Sequence, residues 1–173
     1  MLCSTDYGKL LITHADFPKP GIVFYDFSAL IGNPHHFKST IVALATKLQH
    51  YDYDIIAGID ARGFIFGGAL AFHANKGFVM LRKPGKLPGD LTEMAYDLEY
   101  GTNVLSLQKN TVQAGQRVLI IDDVLATGGT AHIASRLISN HGAHVVAMAF
   151  IIEIAHLNAR ASLPHPVESL IVV

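Results

Sequence analysis

The chain has 173 residues, half of them hydrophobic, which is enough material for one domain with a full core. A formal net charge of −1 gives no reason to expect nucleic acid or an anionic membrane as a partner, and no apolar run reaches the ~18 residues of a membrane span. The only cysteine, Cys3, can form no internal disulfide, and the first residues lack the charged-then-apolar layout of a signal peptide, so a reducing cytoplasm is the expected location.

In chain order, residues from about Asp6 to Leu11 read as a short helix or irregular lead-in. Asp16-Phe17-Pro18-Lys19-Pro20-Gly21-Ile22-Val23-Phe24-Tyr25-Asp26 follows, and its two prolines and glycine exclude helix. The segment reads as a stiff, extended arm, either a rigid connector or a rail that lays backbone donors and acceptors beside a flat ligand. Asn33-Pro34 supplies an N-cap with proline at the first helical position, and Phe37, Ile41, Leu44, Ala45 and Leu48 recur at helical spacing. Asp54 to Ile59 reads as a buried strand, ending in Asp60-Ala61-Arg62-Gly63 before a small-residue helix, Phe64 to Ala74. A strand-to-helix loop carrying arginine and glycine is a natural anion site, although a lone arginine is more often an ordinary surface residue.

Phe78 to Leu81 is the next strand, followed by Arg82-Lys83-Pro84-Gly85-Lys86-Leu87-Pro88-Gly89, a basic loop or a solvated linker. Asp90 to Tyr100 prolongs this excursion beyond the length of an ordinary connector and is a candidate lid. Val104 to Gln108 reads as a strand, and Thr111 to Gln116 as a turn.

The stretch from Arg117 to Thr130 organises the rest. A β-branched apolar run, of the kind buried on both faces of a parallel sheet, leads to Asp122 and Asp123. A small-residue loop then opens a helix marked by Ile133, Ala134, Leu137 and Ile138. Gly128 and Gly129 let backbone approach a ligand closely, and the amides of about Ala126 to Thr130 face one point at the positive end of the helix, where phosphate is favoured. Two adjacent carboxylates raise each other's pKa unless hydroxyls, an arginine or a metal-bound substrate relieve them. A phosphorylated sugar, its diol on the acids and its phosphate on the loop, satisfies every part. The P-loop and dinucleotide-binding glycine patterns are both absent.

After that helix, Gly142 fits a helix C-terminus, Val145 to Ile152 makes a strand ending at Glu153, a short helix lies near Leu157 to Ala161, and a last strand starts at Ser169. Alternating strands and helices imply a parallel sheet covered on both sides, with the ligand outside the carboxyl ends of its strands. There the loops of Arg62, Lys86 and Asp122 are expected to converge. The ten histidines are scattered, without metal-ligand spacing, and read as surface or helix-end residues.

The Arg117–Thr130 stretch resembles the phosphoribosyl pyrophosphate (PRPP) motif of the type I phosphoribosyltransferases: apolar strand, two acids, then T-G-G-T. The resemblance covers nearly the whole chain, from Asp16 to about Glu153, through four motifs in order. Asp16 to Asp26 is similar to the D-F-P-x-P-G-x-x-F-x-D segment of the adenine-specific branch, Gly58 to Gly63 to its G-x-D-[SA]-R-G element, and Arg82 to Gly89 to its R-K-x-G-K-L-P-G segment. Enzymes for 6-oxopurines carry an aspartate where this chain has Ala126, and the remaining acid in a family element is Glu99 in L-E-Y-G, which again is the adenine pattern.

The resemblance implies a type I phosphoribosyltransferase fold over residues 1–173, a mostly parallel central sheet flanked by helices. An N-terminal hood covers about residues 1–33, and the basic loop and lid about 82–103. It implies transfer of phosphoribose from PRPP to adenine, giving AMP and pyrophosphate, with magnesium held mainly by the substrate and no direct protein ligands. Val23 and Tyr25 would contact adenine through their backbone, with Phe24 stacked on one face and Val124 on the other. Asp60, Ala61, Arg62, Arg82, Lys83 and Lys86 would hold pyrophosphate, and a non-proline cis peptide would fall at Asp60–Ala61. Asp122 and Asp123 would take the ribose hydroxyls, and Ala126, Thr127, Gly128, Gly129 and Thr130 the 5′-phosphate. Glu99, beside Tyr100 in the lid, would be the acid–base group, and Arg62 would assist the leaving group. A homodimer is implied as well. Tyr25 stands where many members carry arginine and Ala61 where serine is frequent, so those side-chain roles are lost. A xanthine-type transferase and a non-catalytic PRPP-binding regulator are the alternatives.

Overall fold

The computed structural model describes residues 6–98 and 101–173. After a 3-10 turn at Tyr7–Leu10, β1 (Ile12–His14) pairs antiparallel with β2 (Phe24–Asp26), Thr13 lying opposite Tyr25. The proline-rich arm therefore folds back on itself instead of running extended. Asp16 adopts φ 58°, its Oδ1 accepts from the Gly21 amide at 2.7 Å, and the Phe17 amide donates to the Ile22 carbonyl at 3.1 Å. An aspartate tolerates the left-handed region and caps such reversals with its own side chain.

A short helix, α1 (Ser28–Gly32), has no sequence signal strong enough to announce it. It leads into α2 (Pro34–Leu48), where Asn33 Oδ1 accepts from the His35 and His36 amides at 2.9 and 3.2 Å. The chain continues through β3 (Ile55–Ile59), α3 (Gly63–Ala74) and β4 (Gly77–Leu81). The stretch read as a loop excursion is the first strand of an antiparallel hairpin, β5 (Leu91–Leu98) with β6 (Gly101–Gln108). Then come β7 (Arg117–Leu125), α4 (Gly129–Asn140), β8 (His144–Glu153), two 3-10 turns at Ala155–Leu157 and Ala159–Ser162, and β9 (Val167–Val172).

Five strands form one parallel sheet in the order β4-β3-β7-β8-β9. Successive side chains of β7 point to opposite faces. Val118 and Ile120 enter a core shared with Ile133, Leu137 and Ile138 of α4 and with Leu105 and Leu107 of β6. Leu119 and Ile121 enter a second core with Leu44 and Leu48 of α2 and Phe66 and Leu70 of α3. Two covered faces are why this strand reads as an unbroken apolar run rather than an alternating one. The hairpin is tied to the edge of the sheet by two backbone hydrogen bonds, Arg82 amide to Ser106 carbonyl at 3.0 Å and Ser106 amide to Arg82 carbonyl at 2.7 Å.

Candidate active site

β3 and β7 are neighbours, with Gly58 opposite Ile121, so the loops leaving their carboxyl ends emerge side by side. The loop after β3 brings Asp60, Ala61 and Arg62, and the carboxyl-terminal part of β7 itself brings Asp122 and Asp123. With Lys83 and Thr130 they line a cavity of about 320 Å³. A smaller one of about 70 Å³ adjoins it, lined by Asp122, Val124 and residues 126–130. Asp122 and Thr130 belong to both. β7 extends through the acid pair to Leu125, so the carboxylates sit on the strand itself, not on the loop after it. Strand backbone fixes them more firmly than a loop would.

The small cavity is the predicted phosphate cradle. Gly128 adopts φ +82° and α4 starts at the next residue, so the loop amides lie at the positive end of the helix. In the other loop the peptide between Asp60 and Ala61 is cis, at the position the resemblance implies.

Electrostatics separate the two acids. Burial pushes the Asp122 carboxyl well above the usual carboxylate range, and the adjacent charge of Asp123 pushes it further. Asp122 Oδ1 accepts from the Asp123 amide at 2.9 Å, which works weakly the other way. Gly63, the first residue of α3, is packed so closely here that a Cβ would stand 2.9 Å from Asp122 Oδ1 and 3.0 Å from the Ile121 carbonyl oxygen. Asp123 is paired: its Oδ2 lies 2.6 Å from Arg62 Nη2. The Arg62 guanidinium also lies over the rings of Phe24 and Phe27, 4.9 and 5.2 Å from their centroids. One side chain thus joins the N-terminal hairpin to the acid at the end of β7.

Among the other predicted residues, Phe24 meets Phe17 edge-to-face at 5.3 Å, Val23 is 46% exposed, and Tyr25 is half-buried in β2. The basic loop divides its cations. Arg82 Nε donates to Asp60 Oδ2 at 3.1 Å and Nη1 to the Lys86 carbonyl at 3.0 Å, so Arg82 braces both loops. Lys83 reaches the cavity, and Lys86 is exposed. Glu99 and Tyr100 lie outside the described residues.

Sequence reasoning missed Phe27 behind Arg62, and Val104 and Leu105, which bring the hairpin to the cavity wall. A buried phenylalanine and a pair of strand residues carry no local mark of a ligand site. A larger cavity, about 560 Å³, lies away from these loops, between Lys109 to Ala114 and Asn140 and His141. It brings together no carboxylate pair and no helix N-terminus. Among the described residues, no group of three or more His, Cys, Asp or Glu side chains could hold a metal ion, and no helix is long and apolar enough to cross a membrane.

The phosphoribosyl transferase domain, as a family model, matches residues 33–172. The adenine phosphoribosyltransferase of Prochlorococcus marinus is 43% identical over 99% of this chain and 99% of its own length. The crystal structure of the adenine phosphoribosyltransferase of Thermoanaerobacter pseudethanolicus superposes with a TM-score of 0.94 at 40% identity, covering 96% of this chain and 98% of that one. The Saccharomyces cerevisiae adenine phosphoribosyltransferase, complexed with adenine and an imino-altritol bisphosphate, gives a TM-score of 0.89 at 38% identity over 95% of this chain and 96% of its own.

Proposed function

This chain belongs to the phosphoribosyl transferase domain family, among its adenine phosphoribosyltransferases, and from that premise we propose how its residues join adenine to PRPP, releasing AMP and pyrophosphate. The observation that carries the assignment of roles is the pair of adjoining cavities meeting at Asp122. Their lining matches the two ends of one substrate. The small cradle at the start of α4 suits the 5′-phosphate. The larger cavity, with Arg62 and Lys83, suits the pyrophosphate, and the ribose lies between them on the acid pair.

Adenine N9 attacks C1′ of PRPP as the bond from C1′ to the pyrophosphate oxygen breaks, and that electron pair leaves with pyrophosphate. Positive charge grows on the ribose ring in between. Asp122 and Asp123 accept hydrogen bonds from the ribose hydroxyls and lie near that charge. The raised pKa of Asp122 is relieved by those donors. Arg62 turns part of its charge from Asp123 to the leaving pyrophosphate, assisted by Lys83, Lys86 and the amides of Asp60 and Ala61. Arg82 keeps that loop in place through Asp60. The backbone of Val23 and Tyr25 reads the edge of adenine, held between Phe24 and Val124. Glu99 accepts the proton that adenine loses, at N7 of the N7–H tautomer. Magnesium, held mainly by the substrate rather than by the chain, would supply charge neutralisation to the leaving pyrophosphate.

The enzyme works in the cytoplasm as a homodimer. An apolar face supports the second copy: Phe72 of α3 is 92% exposed, with Ile65 on the same face of the helix and Met80 on the edge strand β4 each 38% exposed. The test of the whole reading is direct. Purified protein mixed with adenine, PRPP and magnesium forms AMP, and guanine and hypoxanthine are used far less well. Comparable rates on guanine overturn the adenine site as drawn.

A further inference from the structure

The phosphate loop rests on a floor. A side chain built on Gly128 would meet Ala159 Cβ at 3.3 Å, Leu163 Cδ2 at 3.6 Å and the Ala159 carbonyl oxygen at 3.7 Å. The loop therefore lies against the 3-10 turn Ala159–Ser162 and the residue that ends it. One turn of 3-10 helix has poor hydrogen-bond geometry and little stability of its own. Something else must hold it at the height the loop needs.

Ala159 and Leu163 pack on the core, and one side chain adds the polar fastening. Arg160 Nε donates to Glu153 Oε1 at 3.0 Å, and Nη2 donates to Glu153 Oε2 at 2.5 Å and to Ser169 Oγ at 3.3 Å. Nη1 donates to the Val167 carbonyl. Ser169 Oγ donates to Glu153 Oε2 at 2.5 Å. Each branch of the guanidinium is used, and a bidentate fork fixes direction as well as distance. Glu153 is buried, and Arg160 holds its carboxyl below the usual range.

Glu153 is the last residue of β8 and lies in register with Leu125, the last residue of β7. The Ile154 amide donates to the Leu125 carbonyl at 2.9 Å. The fork thus ties the floor of the loop to the strand ends from which the loop departs. Neither residue lines the cradle.

We propose that Arg160 and Glu153 are positioning residues for the 5′-phosphate cradle, acting through Ala159 on Gly128. They set affinity for ligands bearing a ribose 5-phosphate and leave recognition of pyrophosphate alone. The proposal rests on assigning residues 126–130 to the 5′-phosphate. A purely structural fork, pinning β9 and the 3-10 turn to the sheet, would loosen the molecule and weaken every ligand together.

Calorimetry on the full chain separates these cases, with AMP, ribose 5-phosphate and magnesium pyrophosphate as probes. Arg160→Ala weakens AMP and ribose 5-phosphate by about 10- to 100-fold, the scale of a small displacement relayed to a site, and leaves pyrophosphate within about twofold. KM for PRPP rises while KM for adenine holds. Glu153→Gln, which keeps the shape but not the charge, gives the same pattern in milder form and decides the matter if Arg160→Ala does not fold. Equal weakening of AMP and pyrophosphate, or AMP affinity unchanged in a folded variant, overturns the positioning role. A parent protein that binds pyrophosphate but neither AMP nor ribose 5-phosphate overturns the phosphate assignment instead.

Discussion

The two ends of β7 carry the same kind of charge in opposite states. At the amino end, the Arg117 amide and Nε donate to Asp54 Oδ2 at 2.9 and 3.1 Å, Nη2 donates to Oδ1 at 2.6 Å, and Nη1 reaches Asp52. Asp54 is held well below the usual carboxylate range by that guanidinium. At the carboxyl end, roughly 16 Å along at ~3.3 Å per residue, one guanidinium serves Asp123 while burial and its neighbour drive Asp122 upward. The chain has satisfied its acids where it needs architecture. Where we place the substrate, it keeps a carboxylate whose proposed partners are the ribose hydroxyls. The contrast predicts that changes at the carboxyl end impair activity without lowering stability, and that changes at the amino end lower stability and spare activity.

The largest effect belongs to Glu99. General acid–base help is typically worth ~10²–10⁴-fold, so Glu99→Gln, which cannot take the proton, lowers kcat by about that range. PRPP affinity and Tm hold, since the anchors we assign to PRPP lie on β7 and the loops after β3, β4 and β7. A kcat within a few-fold of the parent, measured where chemistry limits turnover, removes Glu99 from the mechanism. Next is Gly128→Val. A β-branched residue at φ +82° occupies backbone space that costs about 1–3 kcal/mol, and its side chain meets Ala159. If the loop shifts to relieve this, AMP and PRPP weaken by about 10- to 100-fold, each 1.4 kcal/mol being tenfold. Unchanged AMP affinity by calorimetry moves the phosphate elsewhere.

Much of this contrast was legible in the residues. The apolar run of β7, the Asn33 cap, the acid pair and the T-G-G-T loop are local patterns, and local patterns survive folding. The parallel sheet followed from their alternation. What was hidden is what depends on distant partners. Nothing near Arg62 says that it lies over Phe24 and pairs with Asp123, because those residues are brought to it by β2 and β7. Arg82, which the resemblance implies as a pyrophosphate ligand, also donates to Asp60, an acid of the preceding strand-to-helix loop that nothing in its own segment announces. The hairpin made by β5 was invisible for a similar reason. Val104 to Gln108 of β6 reads as a strand on its own, but its antiparallel partner β5 mixes Thr92, Glu93 and Asp97 among its apolar residues and shows no clean period. Arg160 was passed over because a surface arginine in a short turn has no signature until Glu153 is beside it.

At the amino end, Arg117→Ala lowers Tm at neutral pH and leaves kcat and KM within about twofold, a margin in keeping with the modest reach of a half-exposed ion pair. The sign of its pH dependence follows from Asp54. A carboxyl depressed in the folded state contributes stability above its unfolded value of about 3.9, and that stability is lost as pH falls toward the folded value. The Tm gap between parent and variant therefore narrows below about pH 4. A gap that stays constant through acid denaturation shows that packing of the arginine stem, not charge, was lost.

The smallest effect, and the sharpest form of the contrast, is Asp122→Asn. Here the folded pKa is raised, chiefly by burial and then by Asp123. Over the window between the unfolded value of about 3.9 and that raised value, the folded state binds more protons than the unfolded one, so stability falls as pH rises. Asparagine does not ionise and escapes that loss. Its amide oxygen can still accept from the Asp123 amide, as Asp122 Oδ1 does. The variant should therefore melt slightly higher than the parent at neutral pH, and the difference should vanish as pH falls through the carboxylate range. KM for PRPP rises at the same time, because a neutral amide is a poorer acceptor for ribose hydroxyls and does nothing for the charge that grows beside it. Arg117→Ala and Asp122→Asn then shift Tm in opposite directions at pH 7, from two ends of one strand. A lower Tm for Asp122→Asn at neutral pH would mean that Asp122 is as well satisfied by the chain as Asp54, and the distinction between the two ends would fall.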